Sequence, residues 1–407
     1  MPPPSLCLQC RGGRMLCGRP TCPIQLRINA MRPLSRDLYR TSLFGASPPA
    51  VFVGRWGYPK VLVGPMVPPV RGEESHVLDD PASWYGKSIE DIIALRSKLV
   101  RSSFRVEVRS ARRPDKLLDL TQELAMSSKP IDTEVWLKKP PVLRLHYDGV
   151  LSPMGPSGII RDAKLAENPS VHKDVEYVVS DYDALASEAL WELYTRGIDV
   201  YQATRLLSAG LLGIKKDRKL VPTRWAITAV DSNVGNYILP EVVHHQELSE
   251  ILLFSAEYLG NHFEILLIPG AYSFELIEMW LPRSVWVESG SAQIVADREG
   301  RWPKSEYSPL GGGYYATRLA VLEYLAKIRR RASVLAVREI SSKYWAPLGV
   351  WVVRETARRA LSSPPRRFGS VEEALEEMGR SFKVPRNRWM IKSGLLRELR
   401  EQRRLEH

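Results

Sequence analysis

Four cysteines, Cys7, Cys10, Cys17 and Cys22, fall within one short stretch near the amino end, and the chain has no others. Two close pairs on tight turns can set four thiolates at the corners of a tetrahedron, which is the geometry of a structural zinc ion. Gly12, Gly13, Gly18 and Pro20 lie between the cysteines, where the backbone must bend around a metal. Bound zinc contributes about 10–16 kcal/mol of apparent binding energy, so such a segment folds around its ion. An iron–sulfur cluster is the rival occupant, because four thiolates also satisfy one, although the spacing does not match the ferredoxin patterns. Two disulfides would require an oxidising compartment, and the first residues contain no apolar signal segment. The expectation is a four-cysteine zinc knuckle in a cytoplasmic protein.

Charge is loaded on the two ends. The net charge is +12; residues 1–36 hold six arginines and no acid, and residues 354–404 hold fourteen Arg/Lys against seven Asp/Glu. Residues 37–353 are therefore close to neutral. A neutral body with basic ends suits a protein that meets a polyanion with its termini, and Arg11, Arg14, Arg19 and Arg27 are the candidate phosphate contacts beside the cysteines. No apolar run reaches membrane-spanning length, so no membrane partner is expected.

The remaining chain reads as mixed α/β (α+β), a two-part body behind the knuckle. Expected divisions are a four-cysteine module at 1–36, an amino-terminal domain at 37–288, a carboxyl-terminal domain at 289–388 and a basic helical tail at 389–407. The run around Arg55-Trp-Gly-Tyr-Pro59 reads as a hairpin turn, and residues 63–69 are too proline-rich for regular structure. Ser88 with Asp91 opens a helix, and Asp181 and Asp199 start two more. Residues 226–230 and 350–353 read as strands, as do 251–256, 263–268 and 334–337. The Gly311-Gly-Gly313 run opens the longest helix, and Gly379 closes the helix begun at Ser370.

Candidate catalytic groups follow from these strands. If 334–337 and 350–353 are parallel neighbours, Arg338, Glu339, Arg354 and Glu355 share the carboxyl edge where α/β sheets place ligands. Glu275 and Glu278, three apart, would share one face of a helix. Clustered acids there would suit a metal-dependent reaction on DNA or a nucleotide. No Walker A loop, HExxH or serine elbow is present.

Several longer blocks carry a resemblance: Ser42-Leu-Phe-Gly-Ala-Ser-Pro-Pro-Ala50, Arg205-Leu-Leu-Ser-Ala-Gly-Leu-Leu-Gly213, Leu220-Val-Pro-Thr-Arg-Trp225, Gly312-Gly-Tyr-Tyr-Ala-Thr-Arg318 and Gly349-Val-Trp-Val-Val-Arg-Glu355. They resemble the archaeal Nre family of DNA repair proteins over nearly the whole chain. The resemblance implies a role in the DNA damage response, a four-cysteine metal module and a two-part body. It also implies a carboxyl-terminal motif that docks on the sliding clamp PCNA. Gln402 and Leu405 match the first two anchors of that motif, but no aromatic pair follows, and Leu405-Glu406-His407 also reads as a tag remnant. The expectation is weak clamp binding. Three readings stand: a repair factor that grips DNA with its ends, an enzyme with its site at the sheet edge, and a scaffold with neither DNA affinity nor pocket.

Overall fold

The computed structural model describes residues 9–10, 14–17, 21–34, 39–69, 72–143, 155–284, 287 and 290–405. The fold is mixed α/β, as expected. It divides into two compact units, with the main division between Val234 and Gly235.

The first unit is built on a six-stranded sheet. Its strands are β1 (Ser42–Ser47), β2 (Val51–Val53), β3 (Lys60–Val67), β4 (Val100–Glu107), β5 (Ile131–Leu137) and β6 (Ser157–Leu165), in the order β1-β5-β6-β4-β3-β2. Only β4 and β6 run parallel; the other pairs are antiparallel. β5 alternates buried and half-buried positions, which is the signature of a sheet with one face in the core. The expected hairpin is β2–β3, with Val53 opposite Val63. β3 runs on through Pro65 to Val67, where proline had argued for irregular chain. Its ladder to β4 skips Gly64 and Pro65, so the missing N–H falls where no bond to β4 is made. Ser88 and Asp91 form the expected capping box of Ile89–Ser97, and Asp199 caps Val200–Ser208. The helix expected to start at Asp181 starts instead at Ala186 and ends at Thr195, and a further helix, Lys173–Ser180, ends just before Asp181. Asp181 accepts from the amides of Asp183 and Ala184 in the break between them.

The second unit carries another six-stranded sheet, in the order β11-β10-β13-β9-β8-β14. Here β8 is Ile251–Tyr258, β9 Asn261–Ile268, β10 Ser273–Trp280, β11 Gln293–Glu299, β13 Ser333–Ile340 and β14 Arg366–Phe368. A two-residue pair, β7 (Gln246–Glu247) and β12 (Arg330–Arg331), stands apart. The sheet takes three strands from either side of the expected boundary at 288/289, so that boundary does not separate structural domains. β8 and β9 form the expected hairpin, and Leu259 and Gly260 take the positive φ its turn needs. The central strand β13 is buried at every position, as a strand covered on both faces must be. On one face Ile277, Met279, Leu335 and Val337 pack against Leu375, Met378, Trp389 and Leu396 of the carboxyl-terminal helices. On the other, Phe274 meets Tyr314 edge-on at 5.2 Å and Phe254 meets Tyr324 at 5.1 Å. This second unit is a helix–sheet–helix sandwich.

Two strand expectations fail. Residues 226–230 lie in the helix Thr223–His244. Ala226, Val230, Val234, Ile238 and Val242 recur every fourth position and are all buried, a helical stripe visible only over a window longer than five residues. Residues 350–353 open the helix Trp351–Ser362, which buries Val353, Ala357, Ala360 and Leu361. Four apolar residues in a row fit a buried helix turn as well as a strand. The helix begun at Ser370 passes through Gly379 and ends at Ser381.

Candidate functional site

The carboxyl end of β13 is where catalytic groups were expected. Glu278 on β10 stands level with Arg338 on β13. Arg338 Nη1 donates to Glu278 Oε1 at 2.5 Å, and its Nε and Nη2 donate to Asn261 Oδ1. Trp280 and Phe263 flank the guanidinium at 5.4 and 5.9 Å. Both charges are buried, at 3 % exposure for Arg338 and 2 % for Glu278. The helix Gly312–Ile328 starts against this pair. A Cβ on Gly313 would stand 3.0 Å from Glu278 Oε1, so a larger residue there would press on the carboxylate. Nearby, Tyr344 accepts from the Leu348 amide, and burial raises its phenol above the ordinary range.

The other expected residues do not join this pair. Strand side chains alternate between faces, so Glu339 points away from Arg338 and accepts from the amides of Lys383 and Val384 at 2.8 and 2.9 Å. Glu275 and Glu278 lie on β10 rather than on a helix, and an odd spacing in a strand puts them on opposite faces. Glu275 accepts from Ser393 Oγ and from the amides of Gly394 and Leu395, the latter two at 2.7 and 3.2 Å. It therefore caps the helix Gly394–Leu405 through space. Arg354 and Glu355 are on a helix, not at a strand end; Arg354 is buried, and Glu355 accepts from Arg358 at 3.1 Å. The six candidates serve at least three separate structural contacts. A cleft of about 370 Å³ lies elsewhere, in the first unit, lined by Lys116, Asp119, Glu123 and Lys164 among others.

A buried group in the second unit carried no motif. Arg318, buried in the helix Gly312–Ile328, donates through Nε to Glu299 on β11, and Tyr272 donates to the same carboxylate at 3.1 Å. Burial opposes the charge of Arg318, but Tyr272 and Glu299 outweigh it and raise its pKa. Burial, then Glu299, lifts the Tyr272 phenol. The one trace in the sequence is a lone arginine within an apolar helical stripe.

At the amino end, Cys10 and Cys22 are buried and Cys17 half-buried. Cys22 is the N-cap of the helix Pro23–Met31. Cys7, Arg11 and Arg19 lie outside the described residues. Among the described residues no three His, Cys, Asp or Glu side chains converge as a metal site. Arg14 is exposed. Arg27 is buried at 5 %, so it does not offer its guanidinium to a polyanion as expected. Gln402 and Leu405 lie in the last turn of the helix Gly394–Leu405. Among the described residues no helix is long and apolar enough to cross a membrane.

The comparisons with known proteins cover nearly the whole chain. The family description "Archaeal Nre, N-terminal" matches residues 16–287, and "Archaeal Nre, C-terminal" matches residues 299–407. The chain is 43 % identical over 383 residues to DNA repair protein NreA of Archaeoglobus fulgidus, covering 94 % of this chain and 95 % of that one. It is 38 % identical to DNA repair protein NreB of the same organism, over 97 % of this chain and 98 % of the relative. It is 40 % identical to DNA repair protein NreA of Haloferax volcanii, over 78 % of each. No solved structure matches. Two family descriptions placed end to end, and relatives of this identity matched along most of their length, show that the chain belongs to the archaeal Nre family.

Proposed function

We propose that this protein acts in DNA repair, meeting DNA with its basic ends. The observation that carries the reading is the end-to-end similarity to DNA repair proteins, 43 % identical over 94 % of the chain. The charge distribution supports the mode of binding. Arg14 is exposed, as are Arg380, Lys383, Arg388, Lys392, Arg397 and Arg400 in the carboxyl-terminal helices and their connections. A zinc ion held by the thiolates of Cys7, Cys10, Cys17 and Cys22 would fix the neighbouring arginines relative to one another; Cys10 and Cys22 are buried, as metal ligands are. Gln402 and Leu405, three apart on one helix, supply two anchors for a weak contact with the sliding clamp PCNA. The enzyme reading has less behind it: Arg338, Glu278, Glu275 and Glu339 are buried and hydrogen-bonded within the fold.

The test is a metal analysis combined with DNA titrations at several salt concentrations. About one zinc per chain is expected, with affinity falling steeply as salt rises. Arg14→Ala should weaken binding to all sequences alike. Iron in place of zinc would transfer the cysteines to a cluster, and indifference to DNA at low ionic strength would sink the reading. A sub-micromolar affinity for PCNA would overturn the weak clamp contact.

A further inference from the structure

The body between the two basic ends is close to neutral, yet its first unit gathers exposed aromatic rings and arginines on one surface. The turn between β2 and β3 holds Trp56 at 73 % exposure and Tyr58 at 46 %, and the helix Thr223–His244 begins with Trp225 at 49 %. Apolar rings of this size are usually withdrawn from water. Local structure brings the three together. Thr223 Oγ1 accepts from the Val53 amide at 2.9 Å, which pins the start of the helix to the hairpin. Tyr58 and Trp225 then lie with ring centroids 5.7 Å apart, tilted by 48°. The Val108 amide donates to the Pro59 carbonyl at 2.9 Å, which brings the end of β4 alongside the same turn.

Cations accompany the rings. The Arg55 guanidinium lies 4.7 Å from the centre of the Trp56 ring. Gly57 turns with φ +84°, and a Cβ there would stand 3.2 Å from Arg105 Nη1, so the Arg105 side chain runs beside the turn. Arg105, Arg109 and Arg224 are exposed and make no ion pair with an acid among the described residues. The neighbouring acid, Glu107, is engaged by Lys60 at 3.7 Å. The surface thus sets cations beside aromatic rings that stay exposed to water.

We infer that this surface binds single-stranded DNA, with unpaired bases stacking on Trp56, Tyr58 and Trp225 and the phosphates running past Arg55, Arg105, Arg109 and Arg224. Every base has a π-face, so aromatic platforms set in a basic groove hold single strands with little regard to sequence, and alanine in place of one such ring loses about tenfold in affinity. Duplex DNA keeps its bases stacked on each other and offers these rings nothing beyond its phosphates. The inference rests on the DNA repair reading but assigns a different stretch of the chain from the cysteines and the basic ends.

The experiment is fluorescence anisotropy with labelled oligothymidylate of twenty residues, a duplex of the same length and oligouridylate, using the full chain. The single strand of DNA should bind several-fold more tightly than the duplex. Trp56→Ala and Trp225→Ala should each weaken it about tenfold, with Trp56→Phe keeping most of the affinity. Arg105→Ser and Arg109→Ser should each lower the slope of log affinity against log salt by about 0.7. Trp302→Ala, an exposed ring of the second unit, should change nothing. Unchanged thermal midpoints would show that the variants fold. Equal affinity for single strand and duplex, tighter binding of oligouridylate, or wild-type affinity in Trp56→Ala and Trp225→Ala would overturn the inference. If those two variants bind normally while Arg14→Ala binds weakly, the proposed function stands without this surface. If the wild-type chain ignores every oligonucleotide, both fall.

Discussion

At Arg338 the expectation of chemistry meets a structural pair. A guanidinium and a carboxylate taken out of water must find each other and satisfy their remaining groups, and Glu278 with Asn261 does this for Arg338. Removing one partner leaves the other charge buried alone. Glu278→Gln or Arg338→Met should each cost about 3–5 kcal/mol, while Glu278→Met with Arg338→Met should regain most of the loss. Urea denaturation of the three variants measures this. If the single variants were as stable as wild type but lost an activity, the pair would belong to a working site after all. The sequence marked Arg338 and Glu278 as notable but could not show that they meet, because their pairing depends on β10 and β13 being neighbours in register.

At the scale of elements, capping was the most legible feature. Ser88 with Asp91, Asp199 and Ser370 all cap the helices expected of them, since a cap is a contact between near neighbours in sequence. The helix Gly394–Leu405 is capped differently, by Glu275 from more than a hundred residues away. A buried carboxylate at a helix N-terminus satisfies amides that the helix cannot and complements its dipole. Glu275→Ala should destabilise the second unit by about 3 kcal/mol. Hydrogen exchange should show the amides of Gly394 and Leu395 losing protection before those of the sheet strands. Equal protection in the variant would mean that packing of Leu395 and Leu396 alone holds the helix. The strand assignments at 226–230 and 350–353 failed for the opposite reason: short apolar runs carry too little period to separate strand from helix.

At the scale of the whole molecule, buried phenols set an alkaline limit. Burial raises the pKa of Tyr272, Tyr314 and Tyr344 above the ordinary value of 10.0. Each therefore keeps its proton more tightly in the folded chain than in the unfolded one. The stability this confers is complete below about pH 10 and declines as pH climbs toward the folded values. Denaturant midpoints measured from pH 8 to 11 should hold steady and then fall, and Tyr272→Phe should flatten the fall even though it loses the bond to Glu299. A midpoint that rises above pH 10 would contradict the assignment.

The chain's own local chemistry settled the mixed α/β class, the helix starts at Ser88, Asp199, Gly311 and Ser370, the β8–β9 hairpin and the family, because each depends on residues close together or on long runs of similar sequence. Tertiary packing alone decided which charges are buried, that Glu275 and Glu278 part to opposite faces of β10, that Arg27 turns inward, and that Trp56, Tyr58 and Trp225 share one open surface. Those outcomes depend on which distant segments become neighbours and what each excludes from water, and no window of sequence holds both sides of such a contact.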